Sequence, residues 1–251
     1  MTGFGALLKK ELREQYRTHR ILIVGSIFAL FGIGTPLLLK FLPELLKLSG
    51  ENIQIQVLPP TAIQSFNEFA STIGQIGTVV AVLIGMGIVA NELRHGTAVM
   101  TLSKPVSRAA FVSAKLTAIS MTFLLALTVA AFFCFFYTNL LIENANATVF
   151  FQSNLLLGLF LVFCLAVTVL FSCLFRSSLA AGGIAIAVII SQMVISDVPV
   201  VGDYLPVKLL EWSTNIISGI GQSYCWAVGV TVVLTVLAIY FGQYSLKRRE
   251  I

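Results

Sequence analysis

Charge is what this sequence has least of. Among 251 residues, 16 are Lys or Arg and 11 are Asp or Glu, a share of 11%, whereas soluble domains carry roughly 25%. A water-soluble globule is therefore excluded. Histidine is almost absent, with His19 and His95 in separate polar segments. No HExxH pair and no paired carboxylates stand inside an apolar run, so the convergent titratable set of an enzyme site is missing. No Gly is followed by Lys, which rules out the GxxxxGK[ST] phosphate loop. The four cysteines, Cys134, Cys164, Cys173 and Cys225, lack CxxC spacing and read as small apolar packing residues. No catalytic residue, cofactor-binding residue or metal ligand is assigned.

What is present is apolar length. The segments Ile21–Leu39, Phe69–Asn91, Leu116–Ile142, Asn144–Phe175, Ser177–Ser196 and Trp212–Leu246 contain no Asp, Glu, Lys or Arg. Crossing the hydrocarbon takes about 20 apolar residues in a helix, so each holds one span. The expected fold is all-α and polytopic, a single domain over 1–251 with spans at about 21–39, 69–90, 116–137, 155–175, 179–195 and 225–244. The runs are continuously apolar, which excludes an alternating β-barrel. Basic residues set the orientation. With the N-terminus inside, Lys9, Lys10, Arg13, Arg17, Arg20, Arg94, Lys104, Arg108, Lys115, Arg176, Lys247, Arg248 and Arg249 face the cytoplasm. Only Lys40, Lys47 and Lys208 lie outside. Both termini are then cytoplasmic. The net charge of +5 is explained by topology and anionic lipid headgroups, with no need of nucleic acid.

Between the apolar runs, local signals repeat. Residues 4–20 read as an amphipathic helix at the inner interface, or else as a plain juxtamembrane stop. Span one contains Pro36, which suggests a kink or an end near the outer face, followed by a short helix over Phe41–Leu48. Phe132, Phe133, Phe135, Phe136 and Tyr137 read as an interfacial belt or, alternatively, a substrate-lining wall. Ser177 and Ser178 can cap span five. Residues 197–224 are broken by Pro199, Gly202 and Pro206, and Val207–Ile220 fits a re-entrant or interfacial helix on the outer side. The polar stretch from Asn91 to Lys115 is the focal one. Gly96 and Thr97 can start a short helix, its body Ala98–Ser103, with the Thr97 hydroxyl as cap. Pro105 stops it, and Ser107 can cap the return into span three. Such a loop is either a solvated turn or a surface that a partner pushes on.

Glu92, Gly96-Thr97, Leu102, Pro105-Val106-Ser107-Arg108, Phe111 and Lys115 resemble the E-x-x-x-G-T…L-S-x-P-V-S-R…K segment of ABC transporter permeases of the type-2 exporter class. Lys9-Lys10-Glu11-Leu12-Arg13-Glu14 resembles that class's elbow helix, and six spans with an outer broken helix match across the whole chain. The resemblance implies an elbow helix bearing Lys10, Glu11 and Arg13. It also implies a coupling helix, Gly96–Ser103, between spans two and three. Coupling to the ATPase would involve Glu92, Arg94, Gly96, Thr97, Leu102, Pro105, Ser107 and Arg108. It further implies a second permease chain, a homodimer, and two copies of a separate ATP-binding subunit that hold ATP and Mg. The expected location is a prokaryotic plasma membrane, and the expected role is substrate export. The same architecture also admits a mechanical transducer acting on an outer partner protein, or a non-transporting membrane scaffold. Because the basic residues place the C-terminus inside, a C-terminal green fluorescent protein fusion should fluoresce and an alkaline phosphatase fusion should be inactive. The reverse pattern inverts the topology.

Overall fold

The computed structural model describes residues 3–48, 59–97, 107–198 and 201–248, and among these no strand occurs. The helices run in the order α1 (Phe4–Arg17), α2 (Arg20–Leu48), α3 (Ala62–Gly85), α4 (Ala90–Arg94), α5 (Arg108–Leu141) and α6 (Ala147–Leu174). They continue with α7 (Ser178–Ile195), a 3₁₀ turn at Gly202–Tyr204, α8 (Lys208–Ser218) and α9 (Cys225–Arg248). Among the described residues, six stretches are long and apolar enough to cross a membrane: Arg20–Glu44, Ala62–Arg94, Arg108–Leu141, Ala147–Leu174, Ser178–Ile195 and Cys225–Leu246. The end of the bundle that carries α1 is termed inner, after the distribution of basic residues.

Helix starts follow the side-chain chemistry of the caps. Thr61, Ser107, Asn146 and Ser177 each accept a hydrogen bond from a first-turn N–H, satisfying donors that a helix leaves orphaned. The first span departs from expectation. Pro36 neither ends nor divides it: α2 runs unbroken through Pro36 and Pro43 and absorbs the separate helix expected over Phe41–Leu48. Proline costs a donor and crowds the preceding turn, but in a transmembrane helix neighbouring helices hold the segment helical.

That neighbour is α5, whose packing along α2 is the most extensive pairing in the bundle. Gly32 makes it so close, since a Cβ there would sit 2.5 Å from the Ala130 carbonyl oxygen. Small residues allow such approach where no hydrophobic force joins helices in lipid. Centrally, α6 touches α3, α5, α7, α8 and α9. Its Phe150 stacks on Phe66 at 4.0 Å between ring centroids and lies 6.2 Å from Phe135. The expected aromatic belt is thus divided by helical phase, with Phe135 turned inward and Phe132 and Phe136 exposed. Cys134, Cys164 and Cys173 are buried, whereas Cys225 is exposed at the start of α9.

At the outer end, Ser65 and Thr138 share a hydrogen bond of 2.9 Å and Glu143 accepts from the Ala62 N–H at 2.8 Å, joining α3 to α5. The outer segment before α9 forms α8, which packs on α6 and α3. Lys208 donates to Glu211 at 2.6 Å. That bond holds the carboxyl below its usual range and raises the ammonium.

The Gly32 contact generates a paired test. Gly32→Val should destabilise the protein by about 1–3 kcal/mol through overpacking. Gly34→Ala, whose Cβ meets nothing within 4 Å, should be neutral or stabilise by about 0.5–1 kcal/mol. Thermal unfolding in detergent compares the two.

Candidate functional site

Three chain segments meet at the inner end: α1, the short α4 that comes after the break in α3, and the first turns of α5. Each is amphipathic or short, and each directs a charged residue inward. Lys115, two turns into α5, has 2% of its side chain exposed. Its Nζ donates to both Glu11 oxygens at 3.0 Å and to Glu92 Oε1 at 2.7 Å. Phe111, one turn earlier, lies under the ammonium at 5.1 Å, a favourable cation–π placement. A second tie runs along the same face, as Thr122 on α5 donates to Gln15 on α1. Glu11 and Gln15 stand four apart on α1, so both fall on one stripe, and with Leu7 they are the buried residues of that helix.

The remaining contacts anchor this node to its surroundings. Ser107 caps α5 by accepting from the Ala110 N–H at 3.1 Å. Arg108 donates to the Leu246 carbonyl at 2.6 Å, fastening the start of α5 to the end of α9. Asn91 accepts from Ser178 at the start of α7, at 2.5 Å, and its carbonyl bonds His95 Nδ1 at 2.7 Å. Gly96 takes φ +71, a left-handed angle that glycine adopts without penalty. Thr97 is itself helical, and its hydroxyl lies 3.5 Å from the Glu92 carbonyl.

Of the residues singled out in the sequence, Glu11 and Glu92 converge on Lys115. Lys10 sits at the rim of the cluster, 3.6 Å from Glu11 and 3.8 Å from Glu14. Arg13 and Arg94 are exposed; Arg13 lines a basic groove with Lys9, Lys10 and Arg17. Leu102, Pro105 and most of the expected helix Gly96–Ser103 lie outside the described residues, as does any capping of that helix by Thr97. One expectation needs correction. The stretch that holds span three is not free of fixed charge, because α5 begins at Arg108, eight residues before its apolar run, and carries Lys115 into the packed interior. The Ala62–Arg94 segment likewise includes Glu68 and Glu92, whereas Ala147–Leu174, Ser178–Ile195 and Cys225–Leu246 hold no Asp, Glu, Lys or Arg. The signal was present: Lys115 lies seven residues after Arg108, at a spacing that keeps it in register with one helix face.

Carboxylate oxygens of Glu11, Glu14 and Glu92 lie within 4.8 Å of one another. The Lys115 ammonium already supplies the compensating positive charge, so the cluster reads as an ion-pair node. Two carboxylates and one ammonium in a low-dielectric setting form a mechanical fastener: separating them exposes unpaired charge, and the parts move together.

A family model described as an ABC-2 family transporter protein matches residues 5–215. The chain belongs to this family. It is also similar to an uncharacterized transmembrane protein of Bacillus subtilis (strain 168), YxlG, with 23% identity over 252 residues, covering 98% of this chain and 97% of that one. ABC-2 membership makes the protein a multi-pass membrane permease component of an ABC system, a transmembrane subunit of a type that works with an ATP-binding partner. In this ABC-2 protein the node joins the two polar segments whose motifs carried the resemblance.

If Lys115 is the fastener, Lys115→Met strands the buried Glu11 carboxylate and the partly buried Glu92 carboxylate. It should cost roughly 3–5 kcal/mol, read as a lowered unfolding temperature in nanodiscs. Adding Glu11→Gln and Glu92→Gln to that variant should restore much of the loss. Unchanged stability in the single variant overturns the assignment.

Proposed function

We propose that this ABC-2 protein is the transmembrane permease of an ATP-driven exporter. In this reading two copies pair, and two separate ATP-binding subunits dock at the inner end, holding ATP and Mg. Substrate leaves across the plasma membrane as the spans rearrange. The observation that carries the reading is the Lys115 node. It fastens α1 and α4 to the start of α5, so that force applied at the polar loop between α4 and α5 acts on two elements and a span together. Gly96–Ser103 would be the helix that receives the force. Glu92 and Arg108 tie its two flanks into the bundle, with Arg94 exposed beside it.

Pairing with a second copy is supported by two exposed faces. Gln64, Glu68, Ser71 and Gln75 run along one exposed stripe of α3, an arrangement that lipid tolerates poorly. Ala180, Gly183, Ala187 and Ser191 run along another on the adjacent α7, with the small-residue spacing of close helix contacts. A copy of the same chain, or a polar pathway between copies, would satisfy both.

The test uses the permease reconstituted in vesicles with its ATP-binding subunit. A β-branched residue at the Gly96 angle is strained, so Gly96→Val should leave the complex assembled but reduce transport per ATP several-fold. Gly96→Asn, which tolerates that angle, should retain coupling. Wild-type coupling in Gly96→Val overturns the reading. ATP turnover without any translocated substrate in the wild type would favour the mechanical transducer instead.

A further inference from the structure

The helical ladder between α3 and α4 is broken at residues 86–89, and the break is filled by one side chain from another helix. In an uninterrupted helix the Ala90 N–H would donate to the Met86 carbonyl. Here the Ser172 hydroxyl, fully buried on α6, stands between them. It donates to the Met86 carbonyl at 2.8 Å and accepts from the Ala90 N–H at 2.9 Å. It also accepts from the Val89 N–H at 3.0 Å. The Gly85 carbonyl, the regular partner for Val89, bonds instead to the Ile88 N–H at 3.2 Å. A hydroxyl has one donor and two lone pairs, so Ser172 is saturated by three backbone groups of one foreign helix. A side chain inserted in the ladder is a recognised cause of a helix bend.

The packing around the break has the same bias. A Cβ on Gly85 would sit 2.9 Å from Thr168 Cγ2, one turn before Ser172 on α6. A Cβ on Gly182 of α7 would sit 2.7 Å from the Met86 sulfur. Below the break, α4 is tied to α7 through Asn91 and Ser178 and to α5 through Glu92 and Lys115. A continuous rod would carry displacement of α4 up α3. A broken ladder bends instead, and the strong ties lead elsewhere.

We propose that Ser172 is a positioning residue that secures the break at Met86–Val89 to α6, so that displacement of the inner loop passes into α5, α6 and α7 and not up α3. The routing rests on the permease reading; the role of the hydroxyl in holding the break does not. Hydrogen–deuterium exchange of the full chain in nanodiscs tests that role without any transport. Removal of the hydroxyl in Ser172→Ala strips partners from Val89 and Ala90, and their exchange should rise about tenfold or more. Ser172→Thr keeps the hydroxyl and should stay near wild type. In vesicles with the ATP-binding subunit, Ser172→Ala should lose transport per ATP several-fold while ATP turnover persists. Should the alanine protein fail to assemble, Ser172→Cys, similar in size with a weak donor, should show the same rise in part. Unchanged exchange in Ser172→Ala or Ser172→Cys overturns the proposal, as does a threonine variant that behaves like alanine. Raised exchange with intact coupling overturns the routing. A wild type that moves no substrate refutes the permease reading and leaves exchange to decide the role of Ser172.

Discussion

A lysine ammonium cannot be buried among helices unless opposite charge comes with it, and that requirement organises the inner end of this protein. Lys115 is committed to the interior by its position on α5. Desolvating it alone would cost several kcal/mol, so Glu11 and Glu92 must arrive from α1 and α4. The N-terminal helix is thereby placed against α5 by its polar stripe, not simply laid on a lipid surface by its apolar one. The short helix before the inner loop is fixed by the same charge. Two segments with little apolar area of their own become parts of the bundle.

The same scarcity of water governs the rest of the packing. Backbone groups freed by an irregularity must find a partner within the protein, and the break after α3 finds it in Ser172. Where backbones approach most closely, glycine removes the obstacle, as Gly32 does against Ala130. The central helix α6 contributes both to the aromatic packing at the outer end and to the hydroxyl that fills the break near the inner end. It is therefore the element through which the two ends are related.

Much of the architecture was legible one-dimensionally. Six apolar runs foretold six crossing helices, because length and hydrophobicity alone decide whether a segment enters a bilayer. The starts of α5 and α7 at Ser107 and Ser177 were legible as well, since capping is local chemistry. Less legible was Pro36, whose helix-breaking tendency yields when a neighbour packs along the segment. The phase of the aromatic cluster was hidden too, because belt and core use the same residues and only helix orientation separates Phe135 from Phe136. The described part of the site was half visible: Glu11, Glu92 and Lys115 each stood in a recognisable motif, but their meeting did not show.

The amino-acid order by itself determined the membrane class and the six stretches long and apolar enough to cross, since these depend on composition summed over short windows. Tertiary structure alone decided which polar groups meet. Glu11 and Lys115 are 104 residues apart and Ser172 is 82 from Ala90. No local pattern encodes such partnerships. They arise from the helix pairings, and those are chosen by close packing over the whole bundle.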